Sequence, residues 1–244
     1  MTVVISFQEL PMQLANAVVL ITGANRGIGR AFAREALARG ARRVYAAARD
    51  PASIDLPGVQ PIRLDVTDPQ QVARAARECG DVTLLINNAG VATLGGFLAD
   101  ADLESARRQL ETNFFGPLRM AQAFAPVLAA NGGGALLNVL SIASWINRPL
   151  LGVYGASKSA AWALTNGLRH ELRAQGTQVT ALHMGFVDTD LTRGLEVPKS
   201  TPEQIVRAAF DGLEAGAEEV LADDATRHVK QSLSAAASAY LEAA

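Results

Sequence analysis

Residues 17–29 read Ala17-Val18-Val19-Leu20-Ile21-Thr22-Gly23-Ala24-Asn25-Arg26-Gly27-Ile28-Gly29. The five apolar residues at 17–21 are a short strand buried on both faces, and helical periodicity then runs over 27–39 until Gly40 stops it. In the turn between them Gly23, Gly27 and Gly29 lack the β-carbons that would hold main-chain amides away from an anion. Amides at the start of a helix, with the positive helix end behind them, suit a pyrophosphate. The spacing is Gly-x-x-x-Gly-x-Gly, and no Gly-Lys-Ser/Thr follows, which removes the nucleoside-triphosphatase form of a phosphate loop. A tight strand-to-helix turn without a ligand would read the same way.

Working outward, the strand-helix alternation continues. Strands are expected at 44–48, 61–64, 82–86, 135–140, 178–183 and 219–221, making seven with the first. Helices are expected after Asp68-Pro69, in stretches over 100–130, around 154–174 and after Thr201-Pro202. Apolar strands separated by helices predict an α/β fold: a single doubly wound Rossmann-type domain over 1–244, about seven parallel strands with helices on both faces. Residues 1–14 lack a basic start and carry Glu9 and Pro11, so they read as a short leader packed on the domain rather than a signal peptide. Residues 234–244 read as an Ala-rich helical or frayed tail, and Asn131-Gly132-Gly133-Gly134 as a turn. In such a sheet ligands bind beyond the carboxyl ends of the strands, so residues just after each strand carry the functional weight.

Composition narrows the partners. The 244 residues are 49% hydrophobic and 19% charged, ample for a core. Twenty-two Lys and Arg against 24 Asp and Glu, with a pI near 5.9, lack the basic excess of a nucleic-acid binder. No run approaches the ~18 apolar residues of a membrane span. Cys79 stands alone, and His170, His183 and His228 have no metal-ligand spacing, so no metal site and a reduced, cytoplasmic setting are expected.

The decisive pattern is a set of short motifs in order. Asn87-Asn88-Ala89-Gly90 follows the fourth strand, Ser141 the fifth, and Tyr154-x-x-x-Lys158 opens the long helix thirteen residues after Ser141. Tyr154 and Lys158, four apart, share one helix face. An ordinary phenol is only ~0.1% ionised at pH 7, and making it a base there takes about 4 kcal/mol, roughly what a cation ~4 Å away supplies at an effective dielectric of ~20. Only three of the 22 basic residues are lysines, Lys158, Lys199 and Lys230, so a lysine at this position runs against the habit of the chain. Ser144 competes with Ser141, and Tyr154 alone would more readily be a packed aromatic.

Together with the glycine turn, these motifs resemble the short-chain dehydrogenase/reductase family over nearly the whole chain. The resemblance implies that Tyr154 passes a proton, Ser141 hydrogen-bonds the substrate carbonyl, Lys158 holds the nicotinamide ribose, and Asn113, in Thr112-Asn113-Phe114-Phe115-Gly116, holds a water beside the lysine. It also implies a dinucleotide contacted by Gly23, Asn25, Arg26, Gly27, Ile28 and Gly29, by Asp65 and Val66 at the adenine, and by Asn88, Ala89 and Gly90 at the adenosine ribose. Val187 and Thr189, after Gly185-Phe186, would hold the carboxamide, although Met184 replaces the family's proline. Asp65 would equally cap the following turn.

Cofactor choice turns on the end of the second strand, Ala46-Ala47-Ala48-Arg49-Asp50. Ala48 takes the place of the carboxylate that binds a 2′-hydroxyl, and Arg49 and Arg26 offer cations to a 2′-phosphate, so NADP(H) is expected. Asp50 supports NAD instead, unless Asp50-Pro51 merely starts a turn. Trp145, Ile146, Pro149, Leu150, Leu151, Phe186, Leu191 and Leu195 form the expected substrate wall, which suits a hydrophobic aldehyde or ketone. The expected function is therefore NADP(H)-dependent carbonyl reduction, by a homodimer or homotetramer as the family implies. A non-catalytic NADP-binding sensor or scaffold and an NAD-dependent alcohol dehydrogenase are the competing readings.

Overall fold

The computed structural model describes residues 11–98 and 103–241. Seven parallel strands form one sheet: β1 (Val18–Thr22), β2 (Arg43–Ala48), β3 (Gln60–Arg63), β4 (Leu84–Asn87), β5 (Ala135–Val139), β6 (Gln178–His183) and β7 (Glu219–Leu221), in the order β3-β2-β1-β4-β5-β6-β7. Every expected strand is present within two residues of its expected bounds. β1 lies between β2 and β4, with Leu20 opposite Tyr45 and Leu85. The winding reverses at this pair of strands, which opens a crevice beyond their carboxyl ends.

The helices are α1 (Gly27–Ala38), α2 (Pro69–Glu78), α3 (Glu104–Leu110), α4 (Gly116–Ala130), α5 (Gly152–Glu171), α6 (Pro202–Glu214) and α7 (Asp224–Ser232). Asp68 caps α2 by accepting from the amides of Gln70 and Gln71, and Thr201 with Gln204 makes a reciprocal capping box on α6. One apolar layer packs Phe32 of α1 against Phe210 of α6, ring centroids 5.3 Å apart, over one face of the sheet. The other layer packs Val72, Met120, Phe124 and Leu168 of α2, α4 and α5 over the opposite face. Interior strands β1, β4 and β5 are wholly buried, as a parallel sheet covered on both sides requires.

The structure departs from expectation in three places. Between α3 and α4 the chain makes a π-helical turn, Glu111–Phe115, centred on Asn113. α7 was not foreseen; Asp223 and Thr226 cap it reciprocally, a short-range signal hidden in a mostly polar segment. The Ala-rich tail is not a helix in its described part: residues 233–241 form turns that bury Ser238 and Ala239. Of the expected leader, residues 1–10 lie outside the described residues. Leu14 is fully buried, with its amide donating to Glu214, while the Met12 amide donates to Gln178. Residues 99–102 and 242–244 also lie outside the described residues. Among the described residues no helix is long and apolar enough to cross a membrane.

Candidate active site

The glycine turn after β1 is held from β4. Thr22 Oγ1 accepts from the amides of Asn88 and Ala89, both at 3.0 Å, and the Asn88 side chain donates to Thr22 O (2.8 Å) and Gly23 O (3.1 Å). The turn is so tight that a β-carbon on Gly29 would stand 2.1 Å from Gly23 O, and Gly23 itself has φ +66°. Arg26, the residue before α1, is extended and puts no side-chain cap on the helix, which leaves the first-turn amides for another acceptor. The result is a cradle of bare backbone at the positive end of a helix.

This cradle is one end of a cleft of about 800 Å³. Gly23, Asn25, Arg26, Gly27, Ile28, Gly29, Arg49, Asp65, Val66, Asn88, Ala89, Gly90, Thr189, Tyr154 and Lys158 all line it. Asn113, Ser141 and Val187 are not among the lining residues, although Ser141 meets Tyr154, which is. Asn113 is buried; its Oδ1 accepts from Val91 N (2.9 Å) and its Nδ2 donates to Val91 O (2.8 Å) and Ser157 Oγ (2.9 Å). It thus clamps the turn after β4 to α5. Val187 is buried and bridges to Ser200.

At the other end of the cleft α5 presents Tyr154 and Lys158. Lys158 is buried, its Nζ donates to Val139 O at 2.8 Å, and burial pushes its pKa down to about 8. Tyr154 is held above the ordinary phenol range by burial, while a hydrogen bond from the Ser141 hydroxyl pulls the other way. This corrects the expectation that the lysine lowers the phenol. Nζ stands 5.8 Å from the ring centre and is directed to a main-chain carbonyl, so the phenol stays protonated at neutral pH. Ser141, not Ser144, meets the phenol; Ser144 Oγ is buried without a hydrogen-bond partner.

At the end of β2, Ala48, Arg49 and Asp50 line the cleft, and Arg49 is exposed with its guanidinium in no ion pair among the described residues. Asp50 also caps the short helical turn Pro51–Ser53, its Oδ1 accepting from Ala52 N at 3.1 Å. Asp65 similarly accepts from the amide and hydroxyl of Thr67. Arg26 is engaged with Asp190, 3.1 Å across the cleft mouth.

Trp145, expected in the substrate wall, is partly buried and stacks on His183, ring centroids 3.9 Å apart. Leu150 and Leu191 are about half exposed, as are Leu94 and Phe97, which the sequence reading missed. Gly95 pairs with Leu151, which carries these side chains to the start of α5. The run Leu94-Gly95-Gly96-Phe97-Leu98, apolar within a glycine loop, was the available signal.

The short chain dehydrogenase family model matches residues 17–199. Dehydrogenase/reductase SDR family member 7B of Bos taurus is 36% identical over 195 residues, 72% of this chain; the match spans 60% of that relative's length. Sorbitol dehydrogenase of Cereibacter sphaeroides is 35% identical over 206 residues, 80% of each chain. A crystal structure of a short chain dehydrogenase from Burkholderia cenocepacia J2315, in complex with NADP, is 40% identical with a TM-score of 0.89, covering 92% of this chain and 95% of that one. The family match extends from the first strand past Thr189, through both ends of the cleft, and this chain accordingly belongs to the short-chain dehydrogenase/reductase family of oxidoreductases.

Proposed function

We propose that this chain is an NADP(H)-dependent reductase of hydrophobic aldehydes and ketones. The observation that carries the reading is the protonated phenol of Tyr154, hydrogen-bonded by Ser141 and flanked by the Lys158 ammonium, at the end of a cleft whose other end is a bare-backbone cradle. The cradle suits a dinucleotide, since a β-carbon at Gly29 would fill the space that close backbone approach needs. Arg49 beside Ala48, with Asp50 Oδ1 engaged by the Ala52 amide, favours a 2′-phosphate over a bare 2′-hydroxyl. The NADP complex of the Burkholderia relative points the same way.

When bound, the cofactor supplies the hydride. Tyr154 donates its proton to the carbonyl oxygen, and Ser141 steadies that oxygen by a hydrogen bond. Lys158, charged below about pH 8, holds the ribose hydroxyls and supports the tyrosinate left behind. Thr189 and the Val187 main chain hold the carboxamide, and Asn113 keeps the turn after β4 in register with α5 and holds a water beside the lysine. Leu94, Phe97, Leu150 and Leu191 give the mouth its preference for apolar substrates. The reading also holds that residues 1–244 act as one domain within a cytoplasmic homodimer or homotetramer; light scattering at the mass of one chain would overturn the oligomer.

The test is fluorescence titration with NADPH and NADH, followed by cofactor consumption over a panel of aliphatic and aromatic aldehydes and ketones. Tighter NADPH binding and turnover of apolar carbonyls are expected. Tighter NADH binding overturns the cofactor assignment, preference for charged or sugar substrates overturns the substrate class, and binding without turnover on any carbonyl or alcohol overturns the enzyme.

A further inference from the structure

The buried titratable side chains that this chemistry leaves unused include an imidazole beside the cleft. His183, the last residue of β6, is fully buried, and its Nδ1 lies 3.1 Å from the main-chain oxygen of Ser141. A carbonyl only accepts, so Nδ1 carries the hydrogen and donates it. Nε2 then faces the Glu219 carboxylate of β7 at 3.6 Å without a hydrogen bond. That carboxylate is held by Lys230 of α7 at 2.7 Å. The imidazole face stacks on Trp145 at a 20° interplanar angle, and Lys230 Nζ stands 4.9 Å from the centre of the same indole.

His183 therefore touches both ends of the segment 141–145 that leaves β5 at the cleft. The main chain of the next residue in β6 completes the grip, because Ile142 N donates to Met184 O at 2.8 Å. Within its own short turn Ser144 N also donates to Ser141 O and Ala143 N to Ser141 Oγ. A serine has one rotatable side-chain bond that places its oxygen, so the position of Oγ follows the position of this peptide.

We propose that His183 is a positioning residue: by donating Nδ1–H to Ser141 O and stacking on Trp145 it fixes the Ser141 hydroxyl against the Tyr154 phenol. The proposal deepens the proposed function and rests on its assignment of Ser141 and Tyr154 to the carbonyl oxygen.

Two variants separate the hydrogen bond from mere filling of space. His183→Leu keeps much of the volume and loses the donor, whereas His183→Asn restores a donor at the Nδ1 position. Because misplacing a catalytic group by ~1 Å costs roughly 10²-fold, kcat of His183→Leu should fall about 10- to 100-fold. NADPH affinity, read by fluorescence, should stay at the parent value, and His183→Asn should recover most of the kcat. Crystal structures should show the Ser141 Oγ–Tyr154 Oη separation lengthened beyond hydrogen-bond reach in His183→Leu and restored in His183→Asn. Unchanged kcat and separation in His183→Leu overturn the proposal, as does an equal loss in both variants accompanied by loss of NADPH affinity, which marks a purely structural histidine. Should His183→Leu fail to fold, His183→Gln, whose amide reaches the Nε2 position, takes its place with the same expected loss. If the parent reduces no carbonyl, the proposed function falls, and the separation in the variant crystals still decides the role of His183.

Discussion

Lys158 shows how a functional group costs stability. Its folded pKa, about 8, lies below the 10.5 of a free lysine, so between those values the unfolded chain binds more protons and stability rises with pH. At pH 7 the whole penalty of burying the ammonium is present, about 3 kcal/mol. Part of it is offset by the hydrogen bond to Val139 O. Lys158→Met should therefore stabilise the free protein at pH 7 by about 1–2 kcal/mol while removing most of the reductase activity, as urea unfolding and turnover assays would check. Tyr154→Phe, which keeps the ring and deletes the proton, should lower kcat about 10²- to 10⁴-fold and leave NADPH affinity near the parent value. Tyr154, Lys158 and Ser141 were legible in the sequence because two share a helix face and the third ends a strand. The role of His183 was not, since it arises from the register of β6 against β7 and from α7 closing behind it.

At the scale of elements, the strands were the easiest to read because an interior parallel strand is apolar on both faces. β3, at the sheet edge, buries Ile62 alone, and its expected bounds shifted by one residue. The π-helical turn at 111–115 left no mark on the apolar period, which resumes after one wider turn; only the resemblance, which makes Asn113 a helix-bending residue, pointed to it. Its consequence is local: Asn113 escapes the regular ladder far enough to grip Val91 on one side and Ser157 on the other. The β1–α1 turn has the opposite character, because its glycines announce it and the geometry leaves no slack. A β-carbon at Gly29 would meet Gly23 O at 2.1 Å and Asn88 Nδ2 at 2.5 Å, and the first of these is main chain that must move. Gly29→Ala should cost about 1–3 kcal/mol of stability. It should also weaken NADPH binding at least tenfold, because the displaced backbone is the proposed cradle; calorimetric Tm and fluorescence titration would read the two effects separately. An alanine that leaves both unchanged would show that the turn has room the structure denies it.

Across the whole molecule, the proposed catalytic segment 141–145 draws its support from the carboxyl-terminal half of the sheet. β6, β7 and α7 enclose His183, with Glu219 and Lys230 facing it on one side and Lys158 of α5 adding positive potential nearby. Burial pushes the imidazole pKa down to about 4, against 6.5 in a free chain. The unfolded chain therefore takes up a proton between pH 6.5 and 4 that the folded chain refuses, so the direction is fixed: stability falls as the solution is acidified through this window. By pH 5 the loss from this one group is about 2 kcal/mol relative to pH 7. Carboxylates titrate in both states over the same range, so the parent alone cannot assign the loss; a variant lacking the imidazole can. Urea unfolding of the parent and of His183→Asn at pH 7 and pH 5 should show the parent losing about 2 kcal/mol more than the variant between the two conditions. A lower starting stability of the variant at pH 7 leaves this difference unaffected, because the comparison is between the changes from pH 7 to pH 5. Equal losses would mean that the folded state accepts the proton at Nε2, with Glu219 as its partner, and that His183 is an imidazolium held between a carbonyl and a carboxylate.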